Sequence, residues 1–112
     1  MRQKLFDIAE TLGWRICVEE CDGSIDLRNR SPAGEDLIFN IEGSDIALEV
    51  KALALYFDPD EHAAMWVGSR GRNGVPSSIL TIIKDAYAIK NMLNELAKAL
   101  EKEMNKNDQI LS

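Results

Sequence analysis

Residues 14–41, WRICVEECDGSIDLRNRSPAGEDLIFNI, decide the fold because their hydrophobicity alternates with a period of two. Trp14, Ile16 and Val18 fall on one side of the first segment, and charged or polar residues alternate with them. The pattern repeats in SIDLRNR and in EDLIFNI, and the turn-forming sequences CDG and SPAG separate the three segments. Short alternating segments joined by tight turns are typical of antiparallel strands with one packed face and one solvated face. We therefore predict a three-stranded antiparallel meander.

Helical periodicity flanks the meander on both sides. In RQKLFDIAETLG, apolar residues recur at intervals of three and four, and Gly13 stands where a C-terminal glycine cap belongs. The same spacing predicts three further helices after residue 43. The first is DIALEVKALALYF with Ser44 as its N-cap, the second is DPDEHAAMWVGS, and the third begins at Ser77 or Ser78 and runs for roughly 27 residues.

The fold class that follows is α+β. It consists of an N-terminal helix, a three-stranded antiparallel β-meander, and three helices ending in a long C-terminal helix packed on one face of the sheet. We predict a single domain over residues 1–105, followed by a frayed C-terminal tail over residues 106–112.

The composition is that of a globular protein, with 46% hydrophobic and 29% charged residues in a chain of 112. The net charge of −6 opposes direct binding of nucleic acid, which needs a basic surface. We see no signal peptide, and no apolar run approaches the roughly 20 residues of a membrane span. Cys17 and Cys21 would lie about 13 Å apart on an extended strand, too far for a disulfide. We therefore predict a cytoplasmic protein with reduced cysteines and no membrane contact.

The stretch FDPDEHAAMW, residues 57–66, holds the only histidine of the sequence. Asp58 as N-cap, Pro59 at the first helical position and Glu61 at the third form a capping box. The alternative is that Asp58 and His62, spaced i,i+4, bind a metal or act as an acid–base pair. Two ligands are too few for a metal site. We interpret the stretch as a helix start and predict neither a metal nor a cofactor.

The stretch DIALEVK, residues 45–51, matches the E-x-K half of a metal-dependent nuclease core at Glu49 and Lys51. That core needs both side chains on a strand, beside an upstream acid such as Asp36 or Asp45, so that a magnesium ion is held between carboxylates. The surrounding Ala, Leu, Glu and Lys favour a helix, in which Glu49 and Lys51 point in different directions. A nuclease is therefore a remote alternative that fails if this stretch is helical.

The loop SRGRNGVPSS, residues 69–78, is the most site-like exposed feature of the sequence. Arg70 and Arg72 flank a glycine, Asn73 follows, and a helix N-terminus comes next, whose backbone N–H groups favour anions. We predict that these three residues bind a partner or an anion. An ordinary glycine-rich connection is the alternative, because the loop lacks the lysine and spacing of a phosphate loop.

The long C-terminal helix carries an apolar stripe that includes Leu96, Leu100 and Met104. Its expected length of about 40 Å exceeds the roughly 33 Å diameter of a domain of this size. We therefore expect its last turns to overhang, with these three residues exposed unless a partner covers them. They are the candidate contact of a homodimer or a partner, whereas packing onto the chain's own core is the favoured interpretation of the stripe.

The order of SPAGED, FDPDEHAAMWV, GVPSSI and DAYAIKNMLNELAKAL resembles a family of small uncharacterised acidic bacterial proteins that are similar to gene products of mobile elements and phages. The likeness covers roughly residues 14–100. No established activity or catalytic residue of that family carries over. The resemblance implies a helix over residues 45–57, although ALAL is more apolar than the family pattern, and a protein that binds and modulates another macromolecule.

The predicted function is a non-enzymatic interaction or modulator module that binds a protein partner, with homodimerisation through the C-terminal helix. The alternative is an acidic inhibitor of a host defence enzyme that imitates nucleic acid, which requires a continuous negative face. Interspersed lysines count against that alternative. The sequence has one histidine and lacks a glycine-rich nucleotide-binding motif, so it matches none of the common catalytic schemes. We therefore predict no catalytic residue.

Overall fold

The computed structural model describes the backbone of residues 1–67 and 78–111, and side chains as far as Lys106. In these parts of the chain the elements follow one another in the predicted order, which confirms the α+β class. They are α1 (Arg2–Thr11), β1 (Arg15–Val18), β2 (Ile25–Arg30), β3 (Asp36–Ile41), α2 (Ile46–Tyr56), α3 (Pro59–Val67) and α4 (Ile79–Leu111).

The three strands form an antiparallel meander in the order β1-β2-β3. Leu27 in the central strand lies opposite Ile16 on one side and Phe39 on the other, which makes one face of the sheet apolar. The next residue, Arg28, lies opposite Ile38 on the other face. Because successive side chains point to opposite faces of a strand, the predicted alternation of a packed face and an open face is confirmed.

The chain leaves the sheet at Gly43, in a backbone conformation that favours glycine. Its φ is +92°, in the left-handed region that side chains rarely adopt. A Cβ added there would lie 3.0 Å from Cδ1 of Ile25, a fully buried residue. Glycine at this position lets the chain turn from β3 into α2 while it stays packed against the sheet.

Helix α4 is central to the molecule, because α1, α2 and α3 all pack against it. Its apolar stripe enters a core shared with the sheet, and the stripe's fully buried members are Ile89, Leu93, Leu96 and Leu100. Nearer the N-terminus of α4, Ile82 and Ala86 contact Ala63 of α3 in a second, smaller cluster. The long helix is thus the common support of the other three.

The expected exposure of Leu96, Leu100 and Met104 is wrong. Leu96 is 0% and Leu100 is 1% exposed within a single chain, and Met104 is partly buried against the same core. Helix α1 reaches this far along α4, where Lys4 forms an ion pair with Glu103 at 2.9 Å. The chain's own packing therefore covers the three residues, and they do not offer the predicted homodimer contact.

Helix α4 is also longer than predicted. It spans 33 residues, about 50 Å at 1.5 Å per residue. It continues to Leu111, past the boundary predicted at residue 105, because no Pro or Gly interrupts the sequence NKNDQIL.

Both ends of α2 are fixed by side chains. Asp45, and not Ser44, is the N-cap, and its carboxylate accepts a hydrogen bond from a backbone N–H in the first turn. At the other end the ammonium of Lys90 in α4 donates to three backbone carbonyls, those of Ala54, Leu55 and Phe57. Carbonyls at a helix C-terminus lack intrahelical donors and attract a cation. Lys90 therefore ties the end of α2 to α4.

Candidate functional site

Four polar side chains meet where the β2–β3 turn touches α3 and α4, and we call them the turn cluster: Ser31, Glu35, His62 and Asp85. Ser31, Glu35 and Asp85 are 4%, 5% and 8% exposed, and the side chain of His62 is 18% exposed. Buried polar groups are normally hydrogen-bonded, so their partners decide what this cluster does.

Asp85 of α4 binds the β2–β3 turn through two hydrogen bonds. Its Oδ2 accepts a hydrogen bond of 2.6 Å from the hydroxyl of Ser31, and its Oδ1 accepts one of 2.9 Å from the N–H of Ala33. The Oγ of Ser31 in turn accepts from the N–H of Glu35 at 2.9 Å. Gly34, with φ +101°, lets the chain reverse inside this arrangement. The turn and α4 are therefore joined although 54 positions separate Ser31 from Asp85.

His62 joins α3 to the same turn. Its Nε2 lies 2.9 Å from Oε2 of Glu35, and its ring packs against that of Phe57 with centroids 5.1 Å apart. Asp58 has a different role, because its Oδ1 accepts from the backbone N–H groups two and three positions later. These bonds confirm that the stretch is a helix start. The partner of the histidine is a glutamate 27 positions away, and not one of the acids beside it.

The hydrogen bonds of the turn cluster engage the groups that would carry catalysis. Activation of a serine nucleophile needs its hydroxyl to donate to a base such as histidine. Here the Ser31 hydroxyl donates to Asp85, whereas His62 pairs with Glu35. In the described part of the chain, no three His, Cys, Asp or Glu side chains are grouped so that they could hold a metal ion. The arrangement therefore connects strands to helices.

Glu49 and Lys51 lie on a helix, which removes the geometry that a nuclease core needs. The Glu49 carboxylate accepts hydrogen bonds of 2.8, 3.1 and 2.9 Å from three backbone N–H groups of the preceding turn, those of Glu42, Gly43 and Asp45. Lys51 pairs with Glu101 of α4 at 3.3 Å. The strand geometry on which the nuclease alternative depends is therefore absent, because the two residues leave a helix on different sides and each has a structural partner.

The predicted binding residues Arg70, Arg72 and Asn73 lie outside the residues that the structure describes, so their role stays a prediction. The described chain resumes at Ser78, whose Oγ accepts from the N–H of Thr81 at 3.5 Å. A serine therefore caps α4, as the sequence predicted.

The outward side of α2 is a second candidate surface, and sequence reasoning did not single it out. Leu48, Leu55 and Tyr56 are 61%, 69% and 81% exposed, and Ala52 lies between them. At 100° per residue these four positions share one side of the helix, roughly opposite the buried Val50. We call them the α2 outer face. A signal was present, since IALEVKALALY contains two polar residues in 11, too few for a helix with one solvated side.

A groove of about 450 Å³ runs beside the α2 outer face, between α2 and β3. Its lining includes the apolar side chains of Ile41, Leu53 and Phe57, and it shares Ala52 and Tyr56 with the outer face. Strand β3 lies at the edge of the described sheet, and an edge strand carries unpaired backbone groups. Apolar surface therefore continues from the helix into a groove bounded by a strand edge.

The open face of the sheet gathers carboxylates near the β1–β2 hairpin. Asn40 donates a 2.8 Å hydrogen bond to Asp26, which lowers the pKa of that carboxyl. A hydrogen bond with Asp26 and the charge of Asp26 together raise the pKa of Glu19. Arg28 lies 3.7 Å from Asp26 on the same face. Negative charge on this face is therefore interrupted by a cation.

Comparison of the chain with family models, with curated proteins and with solved structures finds no match. Within the described residues, none of the helices combines the length and the apolar character needed to cross a bilayer. The turn cluster and the α2 outer face are the two candidate sites in the described part of the chain.

Proposed function

We propose that this chain is a non-enzymatic module that binds a protein partner, and that the α2 outer face is its contact surface. One observation carries the proposal: Leu48, Leu55 and Tyr56 are mostly exposed on a helix whose other side belongs to the core. Burial of such side chains is favourable by roughly 25 cal/mol per Å², and exposed apolar patches commonly mark interaction sites. Tyrosine is moreover enriched among the residues that dominate binding energy.

The α2 outer face is presented by a helix that is fixed at both ends. Asp45 and Glu49 bind backbone N–H groups at its N-terminal end, and Lys90 binds its last carbonyls. A surface already held in one conformation loses little conformational entropy when it binds. This rigidity supports the outer face as a contact surface.

The turn cluster supports a non-enzymatic role. A general base or nucleophile must come within hydrogen-bond reach of its substrate. Ser31 is 4% exposed, and both its donor and its acceptor capacity are used by Asp85 and Glu35. The cluster's polar groups are thus engaged in holding the β2–β3 turn against two helices.

Imitation of nucleic acid is the less favoured proposal, because the open face of the sheet mixes charges of both signs. Asp26 lies 3.7 Å from Arg28, and Asp36 pairs with Arg30 at 3.1 Å. A surface that replaces a phosphate backbone needs a run of negative charge at regular spacing. The cations on this face favour the protein-binding proposal over the acidic inhibitor.

The cysteines bear on the compartment in which the module acts. Cys17 and Cys21 are both exposed, and both are free thiols. Exposed free thiols persist in reducing compartments, where disulfides are rare. The cytoplasm is such a compartment, and we propose it as the site where the module acts.

A photoreactive amino acid in place of Leu55 tests the proposed contact. Irradiation in a lysate of the source cell is expected to give a cross-link to one defined protein, either another chain or a second copy. Excess unlabelled wild-type protein should compete the product away, and a Leu48→Lys competitor should not.

The matched control carries the same photoreactive group in place of Leu80, which is 62% exposed but lies on α4. That position should give no product that wild-type protein competes away. Equal competed products at the two positions, or none at position 55, would contradict the proposal.

A further inference from the structure

Helix α2 carries apolar residues on two opposite sides, and the described part of the chain covers only one of these sides. Ile46, Ala47, Val50 and Ala54 face the core, while the α2 outer face is open. An apolar helix side that stays open to solvent is typical of a contact surface. The choice of a surface that covers the α2 outer face rests on the proposed function, in which this face binds a protein.

The charges at the borders of the outer face narrow the choice of partner. The polar residues of α2, Glu49 and Lys51, lie on its two flanks, and both are engaged inside the chain. Glu49 binds backbone N–H groups of the preceding turn, and Lys51 pairs with Glu101. A partner that brought a charge to the centre of this face would bury it without a counter-charge, which is strongly unfavourable. The face therefore fits an uncharged, apolar surface like itself.

The arrangement of side chains suits a two-fold symmetric pair. Ala52 lies at the centre of the outer face, Leu48 lies one turn before it, and Leu55 and Tyr56 lie one turn after it. In an antiparallel pair centred on Ala52, Leu48 of each copy lies against Leu55 and Tyr56 of the other. Two small central residues let the helix axes approach to about 8 Å, while the large residues fill both ends. Such an interface is isologous, the commonest kind in homo-oligomers.

We propose that a second copy of this chain covers the α2 outer face, in an antiparallel helix pair with its two-fold axis at Ala52. The buried interface area indicates how stable this dimer is. A large side chain presents on the order of 150–250 Å², so the three large residues leave roughly 400 Å² open per copy. Two copies bury about 800 Å² before neighbouring residues are added, below the roughly 1,200 Å² of a standard interface. The dimer is therefore of the weak, transient kind that small interfaces form.

Salt distinguishes this dimer from a charge-driven complex. Each copy carries a net charge of −6, so two copies repel one another, and salt screens that repulsion. The dimer should become tighter as the salt concentration rises. Binding of the same acidic chain to a basic partner should become weaker under the same change.

A cysteine on the proposed axis gives the decisive test. In a background with Cys17→Ser and Cys21→Ser, mild oxidation of an Ala52→Cys variant is expected to give a disulfide-linked dimer, because the two Cα atoms lie within about 6 Å at the axis. Leu80→Cys in the same background is the matched exposed control and should stay largely uncross-linked. Addition of Leu55→Lys to the Ala52→Cys variant should abolish the cross-link.

Sedimentation equilibrium of the wild-type protein measures the same association without a cysteine. We expect a monomer–dimer equilibrium that Leu55→Lys weakens at least about tenfold. Tyr56→Lys serves as a second variant, and circular dichroism checks that both variants remain folded.

A wild-type monomer up to roughly 1 mM, together with equal cross-linking of Ala52→Cys and Leu80→Cys, would overturn the second-copy proposal. The photoreactive group at position 55 then separates the two conclusions. A competed cross-link to another protein would leave the protein-binding module intact, and loss of that product as well would remove both.

Discussion

The turn cluster and the α2 outer face show opposite placements of polar and apolar residues. In the turn cluster, two acids and a serine are buried, a histidine is partly buried, and hydrogen bonds join these residues to one another. On the α2 outer face, large apolar side chains are open to solvent. A buried carboxylate such as Asp85 needs hydrogen-bond partners to offset the loss of its hydration. An exposed Leu55, in contrast, leaves apolar area in water whose burial would be favourable. The difference teaches that the chemically suggestive residues connect elements of the fold, while plain leucines form the contact surface that we propose.

The largest expected effect is the difference in unfolding free energy lost when a buried leucine and an exposed leucine are truncated. Leu96→Ala removes a fully buried side chain and should lower the free energy of unfolding by about 2–5 kcal/mol. Leu55→Ala on the α2 outer face should lower it by less than about 0.5 kcal/mol. Urea titration at low protein concentration measures both. Equal losses would mean that Leu55 is covered within the monomer, and the comparison would fail.

A slightly smaller effect is expected in the turn cluster. Asp85→Ala leaves the Ser31 hydroxyl and the Ala33 N–H without their common acceptor, and should cost about 2–4 kcal/mol of unfolding free energy. Asp36→Ala is the matched control, because Asp36 belongs to an exposed ion pair with Arg30 and its loss should cost less than about 1 kcal/mol. Similar losses at the two aspartates would show that the turn cluster is not a structural joint.

The contact between His62 and Glu35 is expected to contribute a moderate pairwise energy. A double-mutant cycle with His62→Gln and Glu35→Gln should give a coupling of about 1–2 kcal/mol, because both side chains are largely buried. The same cycle on the exposed Lys51–Glu101 pair should give about 0.5 kcal/mol or less. If the coupling energy of His62 and Glu35 does not exceed that of the exposed pair, the contact does not stabilise the joint between α3 and the β2–β3 turn.

The smallest expected effect concerns Glu19, outside both regions. Asp26 raises the pKa of Glu19 above its usual 4.5. The stabilisation from protonated Glu19 is therefore present below about pH 4.5 and is lost as pH rises through the folded-state pKa. Glu19→Gln should raise Tm slightly at pH 7 and leave it unchanged near pH 3.

The control for this substitution is Glu20→Gln, one position along the chain, which should leave Tm unchanged at both pH values. Scanning calorimetry at the two pH values provides the measurement. A lower Tm of the Glu19→Gln variant at pH 7 would contradict the direction of the pKa shift.

Features of the fold that depend on neighbouring residues could be predicted from the sequence. The alternation around Leu27 predicted the meander and its packed face, and the order Asp58-Pro59 predicted the start of α3. The state of Leu96 could not be predicted in this way. Its apolar stripe was evident, but whether another surface covers it depends on where α1 and α2 lie against α4.

The candidate sites were harder to predict, for two different reasons. Ser31 and Asp85 are 54 positions apart, and no spacing rule connects residues that only the tertiary fold brings together. Leu48 and Leu55 are visible in the sequence, where the composition of their segment favours a helix over a strand. Excess apolar residues for a helix with one buried side are the signal that would have indicated the α2 outer face.

The claim that this chain meets its partner through the α2 outer face is tested most directly by methyl NMR of the purified protein. Spectra of the wild-type chain are recorded over a concentration series, and then after addition of any partner protein that the photoreactive group at position 55 has captured. The expected result is that shift changes concentrate on Leu48 and Leu55, while the core residue Leu27 and the exposed Leu80 on α4 keep their positions. Changes centred on Leu80, with Leu48 and Leu55 constant, would contradict the claim.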